Sequence, residues 1–135
     1  MRVEDVMLPL DRVPVVGMTS IVKVAIERMT QHHLGVACIV DDAGLLAAVL
    51  TDGDLRRMML RVQKPIAALM SDDAIAHATK ELATVTPDTE LGEAVATMGE
   101  RRIWDLPVVD GRGCLVGVLH LHPAVTRMLQ AADGR

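Results

Sequence analysis

The stretch Ser20–Arg57, SIVKVAIERMTQHHLGVACIVDDAGLLAAVLTDGDLRR, has a counterpart later in the chain. Laid on Thr89–Thr126, TELGEAVATMGERRIWDLPVVDGRGCLVGVLHLHPAVT, it aligns without a gap. The identities are Ala25/Ala94, Met29/Met98, Val40/Val109, Asp41/Asp110, Gly44/Gly113, Leu46/Leu115, Val49/Val118 and Leu50/Leu119. They fall on helix faces, at a turn and in a strand, where a fold would need them. An internal repeat decides architecture before any residue chemistry does, because one small unit cannot bury its apolar face alone. The expected fold class is α+β: two tandem β-α-β-β-α repeats, residues 1–64 and 65–135, related by a pseudo-two-fold axis with clefts between them.

Each repeat parses the same way. A short lead-in, Val3–Met7 or Ile66–Met70, precedes an extended piece around Val13–Val16 or Leu82–Thr86. A helix follows, about Ile21–Gln31 or Glu90–Arg101, with Ser20 and Thr89 as the expected N-caps. Two strands come next, Val36–Val40 with Leu45–Leu50, and Leu106–Val109 with Leu115–Leu119. Asp41-Asp42-Ala43-Gly44 and Asp110-Gly111-Arg112-Gly113 lie between them as hairpin turns, since Gly tolerates positive φ. The closing helices are expected at Gly53–Arg61 and Pro123–Ala131. Gln63–Pro65 reads as the linker and Asp133-Gly134-Arg135 as a frayed tail.

The composition excludes several classes. Half of the 135 residues are hydrophobic, yet there is no Phe or Tyr and a single Trp. The core is therefore aliphatic, with nine Met residues filling gaps. The net charge of −4 argues against a nucleic-acid surface, which usually needs a basic face. Cys38 and Cys114 fall in expected strands, outside any CxxC pair, and read as buried thiols of a reducing compartment. No apolar run reaches membrane-spanning length and no signal-peptide pattern is present, so a cytoplasmic protein without membrane contact is expected.

The first helix is apolar beyond one stripe: Ile21, Val22, Val24, Ala25, Ile26 and Met29 interrupt only for Lys23, Glu27 and Arg28 early on. One face suits its own strands. The rest suits the other repeat or a second copy, and a homodimer through helix faces is expected.

Thr51-Asp52-Gly53-Asp54-Leu55-Arg56-Arg57 sits where a strand gives way to a helix. A helix N-terminus exposes backbone N–H groups and favours anions. Asp54 can accept two bonds from a vicinal diol, and Thr51 can donate one and accept another. Gly53 permits close backbone approach. Arg56 and Arg57 follow within the first turns and suit a phosphate. The competing reading makes Thr51 and Asp54 helix caps and the arginines a solvated face.

His120 and His122 alternate, which in a strand would place them on one face. No Cys or carboxylate is placed to complete a metal set, so no metal is expected; polar contacts to a ligand or ordinary structural roles remain. Trp104, after Arg101-Arg102-Ile103, would stack on a base in the inter-repeat cleft or anchor a subunit contact. His32-His33 closes a helix and Asp41, Asp42 and Asp110 belong to turns. No nucleophile–base pair is legible, and no catalytic residue is assigned.

The repeated β-α-β-β-α order with Thr51-x-x-Asp54 resembles a pair of cystathionine-β-synthase (CBS) domains, the Bateman module. Leu50–Arg57 and Gly117–His122 look like the C-terminal CBS pair of the arabinose-5-phosphate isomerase family. The resemblance covers nearly the whole chain. It implies a regulatory, non-enzymatic module of Kdo and lipopolysaccharide biosynthesis, with the sugar-isomerase (SIS) domain that accompanies it in cis in that family absent here. It implies a nucleotide or nucleotide-sugar effector, with CMP-Kdo favoured and AMP, ATP or S-adenosylmethionine as alternatives, and no required cofactor. The ligand-binding residues it implies are Thr51, Asp52, Gly53, Asp54, Arg56, Arg57, His120 and His122. The second repeat departs from the pattern: Pro123 stands where Asp is usual, so two unequal clefts are expected. A ligand-free dimerisation scaffold is the remaining alternative.

Overall fold

The computed structural model describes residues 1–133; of the expected tail, Gly134 and Arg135 lie outside the described residues. In chain order the elements are a 3-10 turn at Val3–Asp5, β1 (Leu8–Pro9), a 3-10 turn at Leu10–Arg12, β2 (Val15–Gly17), α1 (Val22–His32), β3 (Val36–Val40), β4 (Leu46–Thr51) and α2 (Asp52–Arg61). Then follow α3 (Ile66–Met70), α4 (Ala74–His77), α5 (Leu91–Arg101), β5 (Asp105–Val109), β6 (Leu115–His120) and α6 (Leu121–Asp133). The class is α+β, as the repeat pattern implies.

The chain forms two compact units, Arg12–Leu82 and Met1–Asp11 with Ala83–Arg135. These are not the sequence repeats 1–64 and 65–135. Each repeat's lead-in has crossed to the other unit. The reason lies at the sheet edges. In the contiguous unit β3 pairs β4 antiparallel and β2 lies parallel to β3. Thr79, from the early part of the second repeat, bridges Val49 on the far side of β4, with bonds of 2.8 and 3.0 Å. In the other unit β5 pairs β6, Val85 bridges Val108 in parallel, and β1 pairs the outer side of β6, Leu8 against Val118. The two arrangements correspond residue for residue, down to the register shift after Ile39 and after Val108.

The hairpin turns follow the Asp–Gly reading. Asp41 Oδ1 accepts from the Ala43 and Leu45 N–H groups at 2.9 Å, and Asp110 Oδ1 accepts from Arg112 and Cys114 at 2.9 and 3.0 Å. Gly44 and Gly113 close these turns at φ 87 and 89, where a side chain would be strained. The helices α1 and α5 both end on a left-handed residue, His33 and Arg102. Leu34 N–H reaches Met29 O at 3.1 Å and Ile103 N–H reaches Met98 O at 3.0 Å, the six-to-one bond of a Schellman ending.

The helix starts differ from expectation. Neither Ser20 nor Thr89 caps its helix: the caps are Ile21 and Glu90, without side-chain bonds. Ser20 Oγ accepts instead from Gly17 N–H at 3.0 Å, and Thr89 Oγ1 from Thr86 N–H at 3.2 Å. Residues flanking the crossing lead-ins supply the missing acceptors. Val22 N–H donates to Asp72 O at 2.9 Å and Leu91 N–H to Met1 O at 2.8 Å. A backbone carbonyl serves the orphan donor as well as a hydroxyl does.

The apolar stripe of α1 buries Val22, Ala25 and Met29, while Val24 and Ile26 are half-buried. Two core clusters centre on Ala25, Met29, Ile39 and Leu50 and on Val22, Met58 and Leu69 in the contiguous unit. Val3, Leu91, Met98, Leu106 and Leu119 form the core of the other. All are aliphatic or Met, as the composition requires. Cys38 is buried in β3; Cys114 sits just ahead of β6 and is only half-buried. No helix among the described residues is long and apolar enough to cross a membrane.

The crossing is tightest at Gly117, which is fully covered by β1. A β-carbon there would lie 2.4 Å from the Leu8 carbonyl oxygen, a backbone atom that cannot yield without breaking the β1–β6 pairing. Gly117→Ala is expected to destabilise the chain by about 1–3 kcal/mol, the usual range for overpacking. Urea denaturation with an unchanged slope checks this.

Candidate functional site

The head of α2 gathers most of the sequence-predicted site residues. Thr51 is the last residue of β4 and the N-cap of α2. Its Oγ1 accepts from Asp54 N–H at 3.1 Å, while its own N–H donates to Asp54 Oδ2 at 2.9 Å. This is a capping box, in which two orphan donors are satisfied reciprocally. The Thr51 hydroxyl also donates to Oδ2 at 3.0 Å. Arg57, one turn on, donates from Nη2 to Asp54 Oδ1 at 2.7 Å.

A fourth donor comes from far away in sequence. Thr79 Oγ1 donates to Asp54 Oδ1 at 2.8 Å. Thr79 is the edge residue that bridges Val49, so the sheet closure described above also delivers its hydroxyl to the site. Asp54 is only 6% exposed. A carboxylate offers about four acceptor positions, and here all four are filled.

The remaining residues of the motif lie more openly. Asp52 is exposed; its N–H donates to Gly35 O at 3.1 Å. It borders a shallow, open pocket of about 350 Å³ whose apolar wall includes Ile26, Met29, Leu34 and Leu55. Thr51 and Asp54 do not line that pocket. Gly53 lies beneath the Arg57 guanidinium, where a β-carbon would come within 3.2 Å of Nη1. Arg56 is exposed and Arg57 is 44% exposed.

His120 and His122 belong to the other compact unit, and they do not share a strand face. His120 ends β6, but His122 is already the second residue of α6. The helix starts two residues ahead of Pro123, because proline fits anywhere in a first turn whose N–H groups lack intrahelical partners. His120 Nδ1 lies 2.7 Å from Asp105 Oδ1, whose side chain is 7% exposed; His122 is exposed. Trp104 is 69% exposed. No three His, Cys, Asp or Glu side chains among the described residues come together as a metal site would need.

Sequence reasoning missed Thr79 altogether. It also missed a second cluster in the same segment. Asp72 bonds Lys64 Nζ at 2.6 Å and His77 Nε2 at 2.8 Å. The Lys64 hydrogen bond, followed by that of His77, holds the Asp72 carboxyl below the usual carboxylate range. Both clusters tie the segment 72–79 onto the contiguous unit, and no local signal marks either one.

Asp54→Ala removes the acceptor of four donors at once. It is expected to destabilise the chain by about 2 kcal/mol, since lost caps and stranded buried donors each cost about 1 kcal/mol or more. Chemical denaturation monitored by circular dichroism checks this. An effect within experimental error would show the four bonds to be idle.

Comparison with known proteins places this geometry. The model of the CBS domain matches residues 3–61 and again 67–122. The arabinose 5-phosphate isomerase KdsD of Escherichia coli K12 is 35% identical over 127 residues, 90% of this chain and 36% of the isomerase. The chain thus spans little more than a third of the length of the curated relatives it matches. Among solved structures, CBSX2 of Arabidopsis thaliana in complex with AMP superposes with a TM-score of 0.83 at 28% identity, covering 97% of this chain and 98% of that one. The CBS domain pair of MJ0100, in complex with 5-methylthioadenosine and S-adenosyl-L-methionine, superposes with a TM-score of 0.79 at 19% identity over 98% of both chains, and shows the fold alone. This chain belongs to the CBS-domain family, which it matches once in each repeat.

Proposed function

We propose that the chain is a regulatory module that senses a nucleotide-type ligand at the head of α2. The observation that carries this is the buried Asp54, held by Thr51 and paired with Arg57 where a ten-residue helix begins. A carboxylate that accepts from hydroxyls, a guanidinium three residues on and a helix N-terminus together suit a ribose with its phosphate. The AMP complex of CBSX2 supports the adenosine nucleotides as first probes. The likeness to KdsD supports CMP-Kdo as the second. In a protein of that kind the module would sit in cis with a sugar-isomerase domain in the cytoplasm and report the level of a downstream product. Its role is then regulatory: the module binds an effector and leaves it unchanged.

Two features favour the scaffold reading instead. Pro123 removes the acceptor that the second repeat would need, and the Asp54 carboxylate is fully occupied by the protein's own donors. Titration calorimetry decides between the readings. Saturable binding of AMP, ATP, S-adenosylmethionine, CMP or CMP-Kdo is expected, weakened at least about tenfold by Asp54→Ala, the loss expected for hydrogen bonds to a charged group. Equal affinity of the folded variant for every compound would remove the assigned site.

The module is further proposed to pair with a second copy. Beyond the aligned stretch the closing helices repeat one more pair: Met59-Leu60 in α2 and Met128-Leu129 in α6. All four are exposed, Leu60 to 75% and Leu129 to 61%. Apolar pairs left in water at corresponding places in two repeats favour an interface between copies. Sedimentation equilibrium is expected to show a dimer that Leu60→Glu with Leu129→Glu converts to monomer. A monomeric parent chain would refute the pairing.

A further inference from the structure

We infer that ligand binding at Asp54 is an exchange. Incoming hydroxyl groups take the places of Thr79 and Arg57 on Oδ1, and the released Arg57 passes to the ligand's phosphate. The inference rests on the nucleotide site proposed above and adds the device that sets its selectivity.

The geometry forces the exchange. Asp54 accepts two bonds on Oδ2 from Thr51: the N–H bond is one half of the capping box, and the hydroxyl bond lies beside it. The capping-box bond cannot be given up without opening the first turn of α2. Oδ1 accepts from Arg57 at 2.7 Å and from Thr79 at 2.8 Å, which leaves the carboxylate no vacant acceptor position. A diol therefore reaches this carboxylate only by replacing donors, and the two on Oδ1 leave without breaking the capping box. The two donors differ in how they leave. Arg57 is 44% exposed on a helix and can swing to another rotamer. Thr79 is pinned through its backbone to Val49 by two hydrogen bonds, so only its hydroxyl can turn away.

Selectivity follows from charge compensation in the site. A ligand that brings a hydroxyl alone displaces Arg57 and leaves that cation without its carboxylate. A ligand that also brings a phosphate offers the guanidinium a second anion, in a geometry it favours. Thr79 is thus a competitor built into the chain, and Arg57 a positioning residue that couples recognition of the sugar to that of the phosphate. A bare nucleoside is penalised twice and a nucleotide once.

The test uses AMP with adenosine and CMP with cytidine as probes, titrated into the parent chain, Thr79→Val, Arg57→Gln and Asp54→Ala. Valine keeps the shape and backbone bridge of Thr79 and removes only its hydroxyl. Thr79→Val is expected to bind the monophosphate about tenfold tighter, because one hydrogen bond to a charged acceptor no longer has to be broken. The free variant is expected to melt at a lower temperature and to show the larger ligand-induced rise. Arg57→Gln is expected to abolish the preference for monophosphate over nucleoside, raising nucleoside affinity while lowering that of the monophosphate. Unchanged or weaker binding by Thr79→Val, with Asp54→Ala still defective, would overturn the exchange and leave the site standing. Binding unaffected by Asp54→Ala, or no saturable binding by any variant, would overturn both.

Discussion

A two-stranded hairpin is marginal in water, and this chain contains two of them. The pairings β3–β4 and β5–β6 each leave edges whose N–H and C=O groups need partners. One edge of each hairpin is met in parallel by the strand that feeds the preceding helix. The outer edge is met by a segment from the other repeat. That single requirement decides where the compact units are cut, where α1 and α5 begin, and which hydroxyl reaches Asp54. The edge segments bring carbonyls to Val22 and Leu91 that make side-chain caps unnecessary. They also leave Gly117 with no room for a β-carbon.

The same closure gives the site its electrostatic character. Thr79 belongs to the sheet by its backbone and to Asp54 by its side chain. A buried carboxylate is tolerable only when its acceptor positions are met, and four donors from three residues on two segments of chain meet them here. Unit and site are therefore not independent layers: what stabilises the edge of the sheet also sets the occupancy of the carboxylate. The other unit repeats the edge without the site. His120 stands at the N-terminal boundary of α6 where Thr51 stands before α2, and it turns to Asp105 instead of to a capping carboxylate.

Much of this was legible in the amino-acid order. The unbroken apolar run Val36–Val40 ahead of an Asp–Gly turn forms β3 to the residue, and the Asp–Gly turns form with the bonds their chemistry requires. The capping partnership of Thr51 and Asp54 was legible too, because both residues lie within one turn. What was not legible depends on distant chain. Ser20 and Thr89 look like caps because nothing local reveals that a carbonyl arrives from Asp72 or Met1. His120 and His122 look like strand neighbours because Pro123 draws the eye as the first helical residue, although proline is tolerated two positions later, where its missing N–H still costs no intrahelical bond. Thr79 carries no local mark at all, since its role is fixed by a bridge to Val49.

The crossed lead-ins also set an order of events during synthesis. The unit Arg12–Leu82 is continuous, so every strand, helix and edge it needs has emerged once Leu82 has left the ribosome. The other unit is split around it. Its first eleven residues are made first, yet β1 has no partner until Val118 and Gly117 are made. Closing a loop of that length costs little more than closing one half as long, because the entropy grows only with the logarithm of length. The delay is therefore one of supply and not of search. Until then the N-terminal strand waits as an unpaired edge, tethered to a neighbour that is already folded.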